Sequence, residues 1–217
     1  KNGGTALRKA PELRWRMIGA DPAFHVSRDY VRTVRGVMAE QGQHHGLQHA
    51  RLRDIDPKVR ARLQPVAILR NPWARTVSRY RFALLAAEQG SRWAQAAPES
   101  FEAFLETRHT DGGRPYFWHR AIRGWYPQAD YVTDESGVIA ADVLRQETMA
   151  EDAPVYFGLN RPIARRNVTV SGSSDWRSYY TDRTIQIVAD WYATDIDTFG
   201  FDFDSPATRN IWRPTEH

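Results

Sequence analysis

The chain has 217 residues, 41% of them hydrophobic and 26% charged, which is enough for one globular domain with its own core. It contains no cysteine, which excludes disulfides, thiolate catalysis and cysteine-ligated zinc, and no apolar run approaches the roughly 18 residues of a membrane span. The formal net charge is +4, and all but three of the 30 basic residues are arginines. Arginine suits phosphate or sulfate ligands, although a GC-rich genome would produce the same excess.

In the first half of the chain, the pattern predicts a glycine-containing loop over residues 1–7 that leads into a helix. A second helix is predicted over 30–40 from apolar residues at helical spacing. The unbroken apolar run that follows Pro65 predicts a short buried strand over 65–69. An Asn-Pro turn then begins a helix expected over Pro72–Glu88, because proline fits the first helical turn.

In the second half, a helix is expected to start over 100–106, and short strands are expected over 131–133 and 138–140. Thr181 is a suitable N-cap for a last helix that Gly200 ends. Strands that alternate with helices predict an α/β fold, with a central, mostly parallel sheet covered by helices on both faces.

We expect a single domain over residues 1–217. A chain without cysteines suits a reducing compartment, and the composition is typical of a cytoplasmic bacterial protein. It fits the Golgi lumen less well, and no secretory signal is visible.

The first candidate site is the glycine-containing segment at the start of the chain, made of Lys1, Asn2, Gly3, Gly4, Thr5 and Ala6. Two glycines let backbone N–H groups curl around an anion, and a helix that opens just after them adds a positive dipole end. In nucleoside-triphosphatase P-loops the lysine follows the last glycine, whereas here it precedes the glycines. The alternative is that these residues form an ordinary turn that binds no ligand.

The second candidate site follows the strand predicted over 65–69. The strand delivers Arg70 to its carboxyl end, where open α/β sheets bind ligands, and Ser78 lies on the helix that follows. Arg70 can hold a phosphate through two nitrogen atoms, and the Ser78 hydroxyl can donate a further hydrogen bond. The alternative is that Arg70 pairs with an acidic residue and Ser78 faces solvent.

A third group of residues comprises His44, His45 and His49. Histidine titrates near neutrality and can serve as a general base. We expect no metal site, since His44 and His45 have no acidic partner at a convincing spacing. The alternative for His49 is a structural or surface role.

These segments together resemble sulfotransferases that use 3′-phosphoadenosine 5′-phosphosulfate (PAPS), especially the carbohydrate sulfotransferase branch similar to heparan sulfate 2-O-sulfotransferase. K-N-G-G-T-A-L resembles that family's 5′-phosphosulfate loop, and L-R-N-P-W-A-R-T-V-S-R-Y resembles its 3′-phosphate segment. The resemblance continues through Q-A-D-Y-V-T-D-E-S-G, V-L-R-Q-E and the carboxy-terminal D-I-D-T-F-G-F-D-F. It departs from the family at Gln146, where phenylalanine is usual. The family also has an apolar strand just before its lysine, so either the given sequence begins after that strand or the loop has no such strand.

The resemblance implies a fold like that of P-loop kinases and a transfer of the sulfuryl group from PAPS to a hydroxyl, with a glycan or glycoconjugate as the expected acceptor. It implies that the loop holds the 5′-phosphosulfate, that Arg70 and Ser78 hold the 3′-phosphate, and that Lys1 neutralises charge on the leaving oxygen. The product would be adenosine 3′,5′-bisphosphate, and His49 would accept the proton of the acceptor hydroxyl. Whether His44 or His45 shares that role stays open.

Two other functions fit the sequence less completely. A P-loop-like nucleotide kinase would need the lysine that this chain lacks after its glycines. An arginine-rich nucleic-acid-binding domain would concentrate its basic residues on one face, whereas acidic residues are mixed with them here, so no nucleic-acid partner is expected.

Overall fold

The computed structural model describes residues 2–19, 51–90, 98–111, 126–164 and 175–214, together with 32–33, 36–37 and 39–40. Its strands are β1 (Val66–Leu69) and β2 (Asp142–Arg145). Its helices are α1 (Gly4–Arg8), α2 (Pro57–Arg60), α3 (Pro72–Glu88), α4 (Phe101–Asp111), α5 (Ala129–Val132), α6 (Met149–Phe157), α7 (Asp182–Trp191) and α8 (Ala193–Phe199). Short 3₁₀ helices span Pro11–Leu13, Leu52–Asp54 and Trp176–Tyr179.

The two strands form a parallel pair in the register Val66 to Asp142 through Leu69 to Arg145. Parallel strands need a long crossover connection, and here α3, α4 and α5 lie in that connection. The fold is therefore α/β, with a small parallel sheet flanked by helices, as predicted.

Successive residues of a strand point to opposite faces of a sheet, and the core divides accordingly. Val143 belongs to a large apolar cluster with residues of α3, α4, α7 and α8, whereas Leu144 belongs to a smaller cluster with residues of α1 and α6. The expectation that helices cover both faces of the sheet is confirmed.

Helix α3 is the central element of the large cluster, and its bounds are those predicted from the sequence. Trp73, Val77 and Tyr80 form its buried stripe, and they pack with Phe104 of α4 and Val188 of α7. The Arg70 segment, which leads into the N-terminus of this helix, is thus attached to the larger of the two apolar clusters.

The strands predicted over 131–133 and 138–140 are wrong. Ala129–Val132 is a helical turn, and beyond it only a single antiparallel bridge joins Thr133 to Ile139. The Asp134 side chain accepts backbone N–H bonds from Ser136 and Val138, which closes a local turn between the two bridged residues.

The last predicted helix is correct at both ends but divided in the middle. Thr181 caps α7 by accepting the N–H of Thr184, and Gly200 ends α8 in the left-handed conformation, with φ of 66°. Tyr192 separates the two helices. In the helix predicted over 30–40, the described residues are helical, and the others lie outside the described part of the chain.

Candidate functional site

The carboxyl ends of the two parallel strands meet at one edge of the sheet, where Arg70 follows β1 and Glu147 lies two residues beyond β2. The backbone N–H of Asn71 donates to Oε1 of Glu147 at 2.8 Å, which ties the two strand ends together. This is the edge at which open α/β sheets bind their ligands.

Asn71 is the N-cap of α3 and is only 4% exposed. Its side-chain oxygen accepts the N–H groups of Trp73 at 3.0 Å and Ala74 at 3.2 Å. Its Nδ2 donates to the carbonyls of Asp202 at 2.8 Å and Ser205 at 3.0 Å. Asn71 therefore connects the first turn of α3 to the turn at residues 202–205.

Arg70 is half-buried beside this cap. Burial lowers the pKa of its guanidinium, the nearby Glu147 opposes that shift, and the positive charge of Arg81 lowers the pKa further. An arginine remains protonated near neutrality in spite of such shifts. The carboxyl end of β1 thus carries a cationic guanidinium with the Glu147 carboxylate near it, and a guanidinium is a group that binds phosphate.

Ser78 lies seven residues beyond Asn71, which is close to two helical turns, so both are on the same side of α3. Arg81 lies three residues further along that side. Its Nε donates to the Tyr179 hydroxyl at 3.3 Å, and its guanidinium stands 4.9 Å from the centre of that ring. Arg81 was not among the residues predicted for the site, although its spacing of three residues from Ser78 indicates that both lie on one side of a helix.

In the amino-terminal segment, the two glycines have different structural roles. Gly3 has φ of 89°, and a Cβ atom there would lie 2.9 Å from Sδ of Met149, so no larger residue fits without strain. Gly4 is exposed, and an added Cβ would meet no described atom within 4 Å. Gly3 shapes the loop, whereas Gly4 leaves the backbone open to close approach.

Helix α1 begins at Gly4, inside the segment predicted to be a loop over 1–7. Thr5 is half-buried in its first turn. The Ala6 N–H donates to the Gly3 carbonyl at 2.8 Å, and Ala6 and Leu7 are buried in the smaller cluster. The Ala6 N–H is thus engaged within the turn, so the N–H groups of Gly3, Gly4 and Thr5 are the better placed of the predicted donors.

Asn2 connects this segment to the strand edge. Its Nδ2 donates to the Ile68 carbonyl of β1 at 2.8 Å and to Oε1 of Gln128 at 2.9 Å. The two segments singled out from the sequence, which are more than sixty residues apart, therefore lie side by side.

Asp195 of α8 is 0% exposed, and it hydrogen-bonds to Gln128, the partner of Asn2. Its two oxygens accept the backbone N–H groups of Gln128 and Ala129, each at 2.8 Å. Burial raises the pKa of this carboxyl, while Arg75 and these N–H groups lower it. Arg75 in turn donates to the Tyr126 carbonyl at 3.3 Å.

No protein-family model, curated protein or solved structure matches this chain. The assignment of the site therefore depends on its own geometry and on the motifs of the sequence.

Several predicted residues lie outside the described part of the chain, among them Lys1, His44, His45 and His49. Their roles stay predictions. Within the described ranges, no three histidine or acidic side chains are grouped as metal ligands would be. In the same ranges, no helix is both long enough and apolar enough to cross a membrane.

Proposed function

We propose that the chain is a PAPS-dependent sulfotransferase that transfers a sulfuryl group to a hydroxyl of a carbohydrate. The observation that carries the proposal is the pair of Asn2 hydrogen bonds, which sets the glycine segment against β1 just before Arg70. A ligand with anionic groups at two ends fits two adjacent anion-binding elements at the carboxyl edge of a parallel sheet.

In this proposal, N–H groups of Gly3 and Gly4 and the Thr5 hydroxyl bind the 5′-phosphosulfate of PAPS. Arg70 and Ser78 bind the 3′-phosphate, and Arg81 adds positive charge on the same side of α3. The finer fold assignment, a sulfotransferase fold like that of P-loop kinases, is part of the proposal. It is supported by the parallel strands and by the glycine turn at the start of α1.

The reaction makes one bond to sulfur and breaks another. The acceptor oxygen attacks sulfur in line, the bond from sulfur to the bridging oxygen breaks, and adenosine 3′,5′-bisphosphate leaves. His49 takes the proton of the acceptor hydroxyl, and Lys1 neutralises the charge that develops on the bridging oxygen. Side-chain and backbone charges supply the electrostatic stabilisation, so the proposed mechanism does not require a metal.

The direct test is calorimetric titration with adenosine 3′,5′-bisphosphate and with 5′-AMP, followed by transfer of labelled sulfate from PAPS to a panel of glycans and simple alcohols. We expect the bisphosphate to bind at least tenfold more tightly, since a charge-assisted hydrogen bond contributes about 1.5–3 kcal/mol. Equal affinities for the two nucleotides would contradict the proposal. Turnover of ATP with Mg²⁺ would instead indicate a kinase.

A further inference from the structure

We propose that Gln128, held in place by Asp195, is the positioning residue that fixes the distance between the 5′-phosphosulfate loop and the 3′-phosphate segment. This role rests on the proposed function. Gln128 is 1% exposed and precedes α5. The sequence reasoning included it in the resemblance but gave it no role.

The side-chain amide of Gln128 connects the two anion-binding elements directly. Its Oε1 accepts Nδ2 of Asn2 at 2.9 Å and the backbone N–H of Arg70 at 3.0 Å. Its Nε2 donates to the Arg70 carbonyl at 2.8 Å and to Oδ2 of Asp195 at 3.3 Å. An amide has two acceptor lone pairs and two N–H donors, so these four bonds use its full capacity.

The chemistry of the position explains why an amide is needed there. Gln128 bonds both the N–H and the carbonyl of Arg70, as a neighbouring strand would, and therefore it must both donate and accept. A carboxylate at this position could not donate to the carbonyl. An apolar side chain would leave the buried groups of Arg70 and Asp195 without these bonds.

Asp195 keeps the amide in one orientation. It accepts the backbone N–H of Gln128 at 2.8 Å as well as the side-chain Nε2, so both ends of Gln128 are bonded to one carboxylate. The same carboxylate accepts the N–H of Ala129, which opens α5. A side chain of α8 thus holds the amide that joins the loop to β1.

The functional consequence concerns ligands that bind both elements at once. When two binding elements are held at the matching distance, binding at one raises the effective concentration of the ligand at the other. A ligand with a single phosphate has no such gain. The loss of Gln128 should therefore weaken binding of a two-phosphate nucleotide far more than binding of a one-phosphate nucleotide.

The experiment compares Gln128→Leu with the wild type in calorimetric titrations with adenosine 3′,5′-bisphosphate, 5′-AMP and 3′-AMP. We expect bisphosphate affinity to fall at least about tenfold, whereas the two monophosphates change by less than about threefold. The matched control is Thr76→Val. Thr76 is 0% exposed, and its hydroxyl donates to the Pro72 carbonyl within α3, so this variant loses a buried hydrogen bond away from the loop.

Asp195→Asn is the second variant, and it keeps the proposal testable if Gln128→Leu does not fold. It preserves side-chain volume and weakens the bonds that hold Gln128 and Ala129, but it leaves in place the bonds of Gln128 to Asn2 and Arg70, so a smaller loss confined to the bisphosphate is expected. Equal losses for all three nucleotides, or no loss at all, would overturn the positioning role. A wild-type chain that binds no bisphosphate would overturn the proposed function, and this is seen before any variant is made.

Discussion

The two segments that we propose to bind anions are supported by very different parts of the fold. Arg70 lies two residues before α3 and Ser78 lies within it, and this helix of 17 residues is packed in the large apolar cluster and capped by Asn71. The glycine segment opens α1, a helix of five residues in the smaller cluster. Isolated helices shorter than about 12 residues are marginal in water, so α1 depends on its tertiary contacts.

This difference separates two kinds of substitution. A change at Arg70 should alter binding and leave the fold intact, because the surrounding helix is held by many other contacts. A change in the glycine segment should alter the fold locally and binding with it, because few contacts define that segment. Substitutions in the two segments should therefore differ in what they change, and a substitution outside both should change turnover alone.

The largest effect is expected from His49→Ala. A positioned general base contributes about 10²–10⁴ in rate, so turnover should fall by that factor while bisphosphate affinity stays near normal. Sulfate-transfer kinetics together with calorimetry would measure both, and wild-type turnover should fall as pH drops through the pKa of the histidine.

His44→Ala and His45→Ala are the matched controls for that variant. Both should keep most of the turnover. If the loss appears in His45→Ala instead, the base has been assigned to the wrong histidine.

The next effect is on stability, from Gly3→Ala. Alanine at φ of 89° is strained, and its Cβ would press on Met149, so we expect a loss of about 1–3 kcal/mol in the free energy of unfolding. Denaturant unfolding would measure it. Gly4→Ala is the control, because its added Cβ meets no described atom within 4 Å and alanine favours helices. Equal losses in the two variants would contradict the distinct roles of the glycines.

Arg70→Ala should leave the unfolding midpoint nearly unchanged and remove the preference for adenosine 3′,5′-bisphosphate over 5′-AMP. The lost charge-assisted bond corresponds to at least a tenfold change in affinity ratio, or about 1.4 kcal/mol. Lys58→Ala, which removes an exposed positive charge from α2, controls for net charge. A preference that survives in Arg70→Ala would place the 3′-phosphate elsewhere.

The smallest effect concerns Asp202, whose Oδ1 accepts the N–H groups of Asp204 and Ser205 in the turn that holds Asn71. A hydrogen bond from Ser205, with further backbone N–H bonds, lowers the pKa of this carboxyl below its ordinary value of 3.8. Its contribution to stability is therefore complete above that value and is lost as pH falls through the folded-state pKa.

Asp202→Asn should accordingly be slightly less stable than the wild type at neutral pH, and the difference should shrink in acid. Denaturant unfolding across this pH range would measure it. A difference that stays constant with pH would mean that the charge of Asp202 is irrelevant to the turn.

The sequence predicted an element correctly where the residues of that segment determine its structure. Helix α3 has its predicted bounds, because the Asn-Pro turn and the apolar spacing are both encoded within the segment itself. Strand β1 begins one residue later than predicted. The strand predicted over 131–133 overlaps the helical turn at Ala129–Val132, because a short apolar stretch does not distinguish the two and the carboxylate that holds this turn lies in α8.

The residues of the candidate site also fall into two groups, those that local sequence could indicate and those that it could not. The segments around Gly3 and Arg70 could be recognised from their residue types and their order, and the structure brings them together through Asn2. The amide of Gln128 and the carboxylate of Asp195 could not be assigned roles, because their hydrogen bonds join residues 58 to 126 positions apart. A short stretch of sequence does not indicate hydrogen bonds between residues so far apart.

The bonds from Asn71 to the carbonyls of Asp202 and Ser205 have a consequence for biosynthesis. They join residues 131 and 134 positions apart, so the cap of α3 cannot be completed until residues 202–205 have left the ribosome. Contacts of such long range are slow to form, and earlier segments must wait for them. A nascent chain stalled before residue 202 should therefore carry α3 with an incompletely held cap, and the Arg70 segment would reach its final form only late in translation.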